Sequence, residues 1–383
     1  MKIGVPKETF PGERRVAISP ASLATLMKSG MEVLVESGAG VQAGYPDSAY
    51  RDKGATIASD RRSVFGADII AQVRAAGENP IQGREDLHWM RPGQWIVASC
   101  DALSSQESVE AIAKTGATLF AMELIPRITR AQSMDILSSQ ATVAGYRAVL
   151  LSAMELHKLF PMMMTAAGTL SATKIFVLGA GVAGLQAIAT AKKMGGIVYG
   201  YDLRPACREQ VESLGGKFVE LQIANANSED KGGYAKAMDE EFYRQQRIEL
   251  AKTVAQCDVV ITTAAIPGRK SPLLVTADAV RAMQPGSVIV DLAAQRGGNC
   301  ELTKADHRVI DSGVTILGPT NIVSEAAFHA SLMFGNNITK FLQNMVKAGQ
   351  ASINMEDEIV RETMVTRDGR VVHAKLQNFH QAA

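Results

Sequence analysis

Short apolar runs alternate with helical patterns along most of the chain. In the first 125 residues these runs predict strands at 3–5, 33–35, 69–71, 95–98 and 118–121. Between them, the spacing of apolar residues predicts helices such as 21–28 and 105–114. Strands that alternate with helices are typical of a parallel sheet with helices on both faces.

The same alternation returns in the second half of the chain. It predicts strands at 175–178, 197–201, 217–221, 258–263, 287–292 and 314–317. It also predicts helices at 208–214, 234–256 and 276–283. Since the chain has two such segments, we expect an α/β fold of two doubly wound, Rossmann-like parallel-sheet domains.

Two longer helical patterns join these segments. In the first, small and apolar residues recur at spacings of four and three, at Leu137, Ala141, Ala144, Ala148 and Leu151. Its small-residue face predicts close packing, either within the chain or on a second subunit. The second pattern covers 325–346 and returns the chain to the first segment.

We therefore expect a discontinuous first domain. It comprises residues 1–137 plus 320–383, and the second domain comprises residues 138–319. The tail after residue 354 is polar, so we expect it to be loose. The methionines at 162–164 are interpreted as core residues.

Three glycines in the spacing G-x-G-x-x-G follow the apolar run at 175–178. Gly179 permits a tight turn out of the strand, and Gly181 lets the backbone approach a pyrophosphate. Gly184 lets the following helix pack against the sheet. The start of that helix, at Val182, offers N–H groups and a positive dipole end to phosphates. This pattern predicts a dinucleotide site in the second domain; the first domain lacks the fingerprint.

The next predicted strand ends in Asp202, near the spacing at which an acid accepts ribose hydroxyls of a dinucleotide. Such a carboxylate repels a 2′-phosphate, which favours NAD over NADP. Arg204 complicates this prediction, because a nearby arginine can hold a 2′-phosphate. Leu203 lies between them and is assigned to the same site. The alternative is a glycine-rich turn in an unrelated sheet, but strand, turn, helix and acid agree with one another.

Composition narrows the classes of function. The 383 residues, 46% of them apolar, with a formal net charge of +1, are typical of a globular protein and do not suggest nucleic acid. No apolar run approaches the roughly 20 residues of a membrane span, and no signal-peptide pattern is present. The four cysteines lack C-x-x-C spacing and the six histidines are scattered, so we expect free thiols and no metal.

Two polar segments stand outside the strand–helix alternation. Residues 222–233 form a long polar loop, and such loops are usually functional or disordered. Residues 123–135 carry two arginines, a glutamine and an aspartate beside a proline. From these residue types alone, a solvated helix start and a functional segment are equally good interpretations.

Several motifs cover nearly the whole chain. They are P-K-E-x-x-P-G-E-x-R-V-A-I-S-P at Pro6, P-R-I-T-R-A-Q-S-M-D-I-L-S-S-Q at Pro126, G-A-G-V-A-G-L-Q at Gly179, R-E-Q-V-E-S-L-G-G-K-F at Arg208, G-G-Y-A-K at Gly232, I-T-T-A-x-I-P-G at Ile261 and G-G-N-C-E at Gly297. With these motifs the chain resembles the NAD(H)-binding domain I of proton-translocating NAD(P) transhydrogenase, which is the alpha subunit or its soluble N-terminal portion.

Alanine dehydrogenase is a near relative that shares the N-terminal motif and the glycine loop. That family has a lysine, a histidine and an aspartate at its substrate pocket. The matching segments here hold Arg74, no histidine within 98–101, and Gln295, although Arg15 remains. Oxidising an amino acid needs a general base within reach. Hydride transfer between two nicotinamides moves no proton and needs only alignment of the rings.

The resemblance implies residues for the nicotinamide end of a bound cofactor. These are Gln132, Arg127, Asp135 and Ser138. Gln132 would fix the carboxamide, since an amide has both a donor and an acceptor, and Arg127 and Asp135 could pair. Tyr234 resembles the tip of the family's mobile loop. The full cofactor-binding set is Arg127, Ile128, Thr129, Gln132, Gly179, Gly181, Val182, Gly184, Asp202, Leu203, Arg204, Tyr234 and Ala264.

The resemblance also implies partners. NAD(H) would bind here and NADP(H) on the beta subunit, in a complex with membrane-spanning subunits. We expect a homodimer that binds no nucleic acid and is cytoplasmic, peripheral to the inner membrane through its partners. Two alternatives stay open: an alanine dehydrogenase-like amino-acid oxidoreductase, and a nucleotide-sensing module without chemistry of its own.

Overall fold

The computed structural model describes residues 1–221, 240–265 and 268–377. Its contacts divide the chain into two compact units. One unit consists of Met1–Gln140 with Val323–Ala383, and the other of Ala141–Ile322. The predicted fold class, two parallel-sheet Rossmann-like domains, is confirmed by the sheet of each unit.

The sheet of the first unit has six parallel strands. In chain order they are β1 Lys2–Val5, β2 Glu32–Glu36, β3 Thr56–Ala58, β4 Ile69–Arg74, β5 Trp95–Ser99 and β6 Thr118–Ala121. They lie side by side in the order β3-β2-β1-β4-β5-β6. This is the doubly wound order, with its reversal between β1 and β4. Strand β3 is short and only partly buried, and the apolar pattern did not predict it.

The second unit repeats this architecture after an exposed hairpin. The hairpin strands are β7 Met163–Thr165 and β8 Gly168–Leu170. The sheet strands are β9 Lys174–Leu178, β10 Ile197–Tyr201, β11 Lys217–Phe218, β12 Val259–Thr262, β13 Val288–Asp291, β14 Arg308–Asp311 and β15 Val314–Leu317. Their order is β11-β10-β9-β12-β13-β15-β14, and only β14 in this described sheet is antiparallel.

Helices cover these sheets. They are α1 Leu23–Lys28, α2 Asp47–Arg51, α3 Arg61–Phe65, α4 Gln106–Lys114, α5 Ile136–Glu155, α6 Val182–Lys193, α7 Cys207–Ser213, α8 Glu240–Val254, α9 Ala277–Arg281, α10 Ala327–Met345, α11 Glu358–Thr363 and α12 Ala374–Gln377. None of the helices in the described part of the chain is both long and apolar enough to cross a membrane.

Helix α10 explains why the first unit is discontinuous. Its Phe334, Ile338 and Phe341 belong to the same buried cluster as the strands β1 and β2. The Phe341 ring contacts that of Phe120 at 5.5 Å, and Phe120 contacts Trp95 at 5.2 Å. The helix therefore supplies core side chains that the first 140 residues lack.

The expectation of a loose tail after residue 354 is wrong as far as residue 377. Helix α11 buries Ile359 and Val360, and Val365 is fully buried. The Val365 N–H donates to the Leu119 carbonyl at 2.8 Å, beside strand β6. A few apolar residues in a polar stretch are enough to anchor it, because each buries a complete aliphatic side chain.

The interpretation of residues 162–164 as core is also wrong. Met162, Met163 and Met164 are 57%, 42% and 79% exposed. They lie on the β7–β8 hairpin, where all six strand residues are exposed. The small-residue face of α5, in contrast, does pack within the chain at Gly145. A Cβ added there would lie 2.1 Å from the Ala183 carbonyl oxygen of α6.

Candidate functional site

The first glycine of the turn after β9 has a backbone conformation that favours glycine. Gly179 has φ +100°, a region that residues with a side chain rarely adopt. Its N–H donates to the Tyr201 carbonyl at 2.8 Å, which joins the turn to the end of β10. Helix α6 then begins at Val182, shortly after the strand.

The other two glycines of the turn differ in whether the fold requires a glycine at their position. A Cβ at Gly184 would lie 1.7 Å from the Gly179 carbonyl oxygen, so the close packing of α6 on the turn excludes any side chain. At Gly181 an added Cβ would meet nothing within 4 Å, and its φ is an ordinary −76°. The fold itself therefore does not need a glycine at Gly181, and the space before it is open.

Strand β12 supports the turn from the neighbouring position in the sheet. The Thr263 hydroxyl donates to the Gly179 carbonyl at 3.0 Å. Next to it, the Asn299 side chain accepts from the Ala264 N–H at 3.0 Å and donates to the Ala264 carbonyl at 2.8 Å. Because Asn299 engages both backbone groups of Ala264, that residue offers a ligand mainly its methyl group. Thr263 and Asn299 lie within the quoted motifs, but the sequence did not predict them as site residues.

Asp291, at the end of β13, holds the loop that carries Asn299. Its side chain is fully buried and accepts hydrogen bonds from backbone N–H groups of Ala293, Asn299 and Cys300 at 2.8–3.0 Å. The hydroxyls of Thr262 and Thr303 add two more, at 2.8 and 2.7 Å. Five donors fix the carboxylate and hence the G-G-N-C segment.

Asp202 lies where the fingerprint predicts an acid, and Arg204 binds it directly. The Arg204 guanidinium makes two bonds of 2.9 Å, from Nε to Oδ1 and from Nη2 to Oδ2. The Ala180 N–H of the glycine turn donates to Oδ2 at 2.7 Å. Burial would raise the pKa of the Asp202 carboxyl, but the hydrogen bonds and charge of Arg204 hold it below its ordinary value.

In the first unit, a short 3-10 helix, Thr129–Met134, presents the predicted nicotinamide residues. Ala131 and Met134 are buried beneath it, while Arg127, Thr129 and Gln132 are exposed. Ile128 packs against the core. The Gln132 amide group has no hydrogen-bond partner among residues 1–221, 240–265 and 268–377.

Side chains on both sides of this helix fix it in place. Asn337 of α10 donates to the Ser133 carbonyl at 2.9 Å. Arg130 bonds Asp357 at the start of α11, with Nη1 3.1 Å from Oδ2. Asp135 accepts from the Ser138 N–H at 3.0 Å and from its hydroxyl at 2.6 Å. Asp135 therefore caps the start of α5 by accepting from Ser138, a local role that the sequence did not predict.

A buried charge cluster occupies another part of the first unit. The Glu13 carboxylate accepts from Arg15 Nη2 at 2.6 Å and from Arg74 Nε at 2.8 Å, and Arg74 also pairs with Glu78 at 3.0 Å. Burial would raise the pKa of Glu13, but the two guanidinium groups hold it well below its usual range. Burial and the charge of Glu13 raise the pKa of Glu8 to about 8.

Comparison with known proteins relates both units to one family. Residues 4–144 match the family "Alanine dehydrogenase/PNT, N-terminal domain", and residues 148–374 match "Alanine dehydrogenase/PNT, C-terminal domain". The chain belongs to the alanine dehydrogenase/PNT family. The two matches together cover most of both units.

Within the alanine dehydrogenase/PNT family the chain is more similar to transhydrogenases. One relative is named as the first part of NAD(P) transhydrogenase subunit alpha of Rhodospirillum rubrum. It is 47% identical, over 98% of this chain and 99% of the relative. The crystal structure of transhydrogenase from Sinorhizobium meliloti has a TM-score of 0.84 at 41% identity, over 98% and 99% of the two chains. Alanine dehydrogenase of Bacillus subtilis is 27% identical, over 97% and 93%.

Tyr234 lies outside the described residues, as do the whole predicted loop at 222–233 and Pro267. In the described part of the chain, no group of three or more His, Cys, Asp or Glu side chains is placed to hold a metal ion. The four cysteines are free and buried.

Proposed function

We propose that this chain is the NAD(H)-binding component of a proton-translocating NAD(P) transhydrogenase. It positions NADH for direct hydride transfer to NADP⁺ on a partner subunit. The observation that carries the proposal is the open glycine turn of the second unit, beside a ribose-type acid whose side chain is 7% exposed. The similarity of the whole chain to transhydrogenase alpha subunits supports the choice of reaction.

The residues present fit a dinucleotide. A Cβ at Gly181 would enter space that the protein leaves open at the start of α6, where N–H groups suit a pyrophosphate. Val182 and Gly184 are part of that helix start, and Asp202 with Leu203 follows β10. Ala264, held by Asn299, lies at the carboxyl end of β12, the edge at which such sheets bind ligands.

The positioning of the nicotinamide is assigned to the first unit. When bound, NADH supplies the hydride. The exposed Gln132 amide can donate to and accept from a carboxamide and so fix the orientation of the ring. Arg127, Thr129 and Ile128 form the rest of this surface, and the cap between Asp135 and Ser138 holds its end. Tyr234 is assigned to closure over the nucleotide.

The charge cluster disfavours amino-acid oxidation. The two guanidinium groups of this cluster, those of Arg15 and Arg74, are balanced by Glu13 and Glu78. A substrate carboxylate would add an unbalanced negative charge to a buried site, which is costly. We therefore rank an alanine dehydrogenase-like activity second, although the family relationship keeps it testable.

We further propose the partners of the complex. NADP(H) is bound by the beta subunit, and membrane-spanning subunits hold the chain, as a cytoplasmic component, at the inner membrane. The β7–β8 hairpin supports a homodimer, since Met162, Met163, Met164 and Leu170 expose an apolar surface. The net charge of +1 gives no reason to include nucleic acid.

The direct test is reconstitution. The purified chain is mixed with the NADP(H)-binding partner domain, and the reduction of NADP⁺ by NADH is followed. In parallel, the chain alone receives L-alanine and NAD⁺. Transhydrogenation with no alanine oxidation supports the proposal. Brisk NADH formation from alanine would favour the second candidate, and neither activity would favour a nucleotide-sensing module.

A further inference from the structure

The carboxylate of Asp202 has its hydrogen-bonding capacity filled within the protein. Oδ1 accepts from the Arg204 backbone N–H at 2.9 Å and from Arg204 Nε at 2.9 Å. Oδ2 accepts from the Ala180 N–H at 2.7 Å and from Arg204 Nη2 at 2.9 Å. A carboxylate offers about four lone-pair positions. No position is therefore left for a ribose hydroxyl.

The four bonds divide into a fixed and a replaceable pair. The backbone N–H groups of Ala180 and Arg204 belong to the turn and to the chain after β10, and they hold the carboxylate in place. The guanidinium fork belongs to a side chain that is 17% exposed, and its rotation would leave the backbone unchanged. A ribose diol also offers two adjacent donors. It would therefore replace the fork and leave the backbone pair unchanged.

We infer that Arg204 is a specificity-determining residue that competes with the adenosine ribose for Asp202 and, once displaced, pairs with a 2′-phosphate. The inference rests on the proposed function, because it assumes a dinucleotide at this site. NADH binding exchanges a bidentate ion pair for neutral hydroxyl bonds, so Arg204 weakens NADH binding. A 2′-phosphate recovers a charge-assisted bond from the same guanidinium, so discrimination against NADPH is smaller than Asp202 alone would give.

The test compares the affinities of NADH and NADPH by fluorescence titration of the full chain. In Arg204→Gln we expect NADPH to bind about ten-fold more weakly or worse, while NADH binds as in wild type or several-fold more tightly. The matched control is Arg208→Gln on α7, which removes the same charge four residues away. There we expect the ratio of the two affinities to stay within about two-fold.

A second variant keeps the test decisive if Arg204→Gln folds poorly. Arg204→Lys keeps the charge without the fork, so we expect a loss of NADPH affinity smaller than that of Arg204→Gln and no loss of NADH affinity. Equal losses for both nucleotides, or the same change of ratio in Arg208→Gln, would overturn the inference and leave the proposed function standing. Failure of the wild-type chain to bind NADH would overturn both.

Discussion

At the scale of single residues, the three glycines of the turn after β9 have separable roles. Gly179 and Gly184 are required by the fold, through a positive φ and a close approach to a carbonyl oxygen. Gly181 is required by neither, and its proposed role is to leave room for a ligand. The G-x-G-x-x-G spacing predicts a role for all three glycines. Only the structure shows which of them the fold itself requires.

This difference gives a prediction for Gly181→Ala. Because the added methyl meets no protein atom, the free energy of unfolding should change by about 1 kcal/mol or less, the usual cost of alanine at a helix N-cap. NADH affinity should fall about ten-fold or more, since the methyl lies where the pyrophosphate approaches. Gly184→Ala is the contrasting control and should unfold at lower denaturant. Unchanged NADH affinity in Gly181→Ala would refute the assignment of the turn.

Gln132 provides a second prediction at this scale. Gln132→Asn keeps the amide but shortens it, so the bound ring would be misaligned. We expect hydride transfer to slow about ten- to a hundred-fold in single-turnover measurements with the partner domain, with NADH affinity within about three-fold of wild type. The neighbouring exposed Ser133→Ala should leave both unchanged. Equal losses of rate and affinity would contradict a positioning role.

The buried charge cluster predicts that the effect of replacing Glu13 on the free energy of unfolding depends on pH. Glu13→Gln leaves two buried guanidinium groups underbalanced and should destabilise the chain by about 3–5 kcal/mol near pH 7. The folded pKa of Glu13 lies below its unfolded value of 4.5, so the stabilisation is complete above that pH and is lost as the pH falls through the folded pKa. The gap between wild type and Glu13→Gln, measured by urea unfolding, should narrow below pH 4.5. A gap that stays constant would refute the ion-pair assignment.

Residues that position the site by long-range hydrogen bonds could not be predicted from the sequence. Asn299 contacts Ala264 across 35 positions, and Asp291 gathers donors from three segments of the chain. Neither stands out by residue type. Asp202 and Arg204 were both predicted, but their mutual ion pair depends on side-chain rotamers that no spacing rule specifies.

At the scale of elements, the apolar runs predicted the buried parallel strands well. Strands such as β4 and β12 are buried along their whole length, so their sequences are largely apolar runs. The pattern failed where elements are short or exposed, as in β3, β14 and the β7–β8 hairpin. It also failed in the tail. There Val365 is fixed by contacts with distant residues such as Leu119, which local apolar periodicity does not reveal.

The contact between α5 and α6 gives the prediction at this scale. Any side chain at Gly145 must push against the Ala183 carbonyl, because the added Cβ would be 2.1 Å from its oxygen. Gly145→Ala should therefore lower the free energy of unfolding by about 1–3 kcal/mol despite the better helix propensity of alanine. Met154→Ala, at a 79% exposed position of α5, is the control and should be nearly neutral. A stabilised Gly145→Ala would show that the helices can separate freely.

At the scale of the whole molecule, two doubly wound units divide the proposed work. The second unit carries the glycine turn, and the first carries the exposed Gln132 surface and the balanced charge cluster. The family resemblance extends over nearly the entire chain, and the comparisons confirm it. In the described residues, the full G-x-G-x-x-G spacing occurs once, at Gly179. The proposed function places the second dinucleotide on a partner subunit.

The most direct measurement follows a labelled hydride. NADH carrying deuterium on the transferred face of the nicotinamide is mixed with the chain and its NADP⁺-loaded partner domain, and the products are analysed by mass spectrometry. We predict that NADPH contains the deuterium in full, with none released to water, and that omitting the chain abolishes the transfer. Deuterium in water, or NADPH formed without label, would contradict direct transfer from a nucleotide held by this chain.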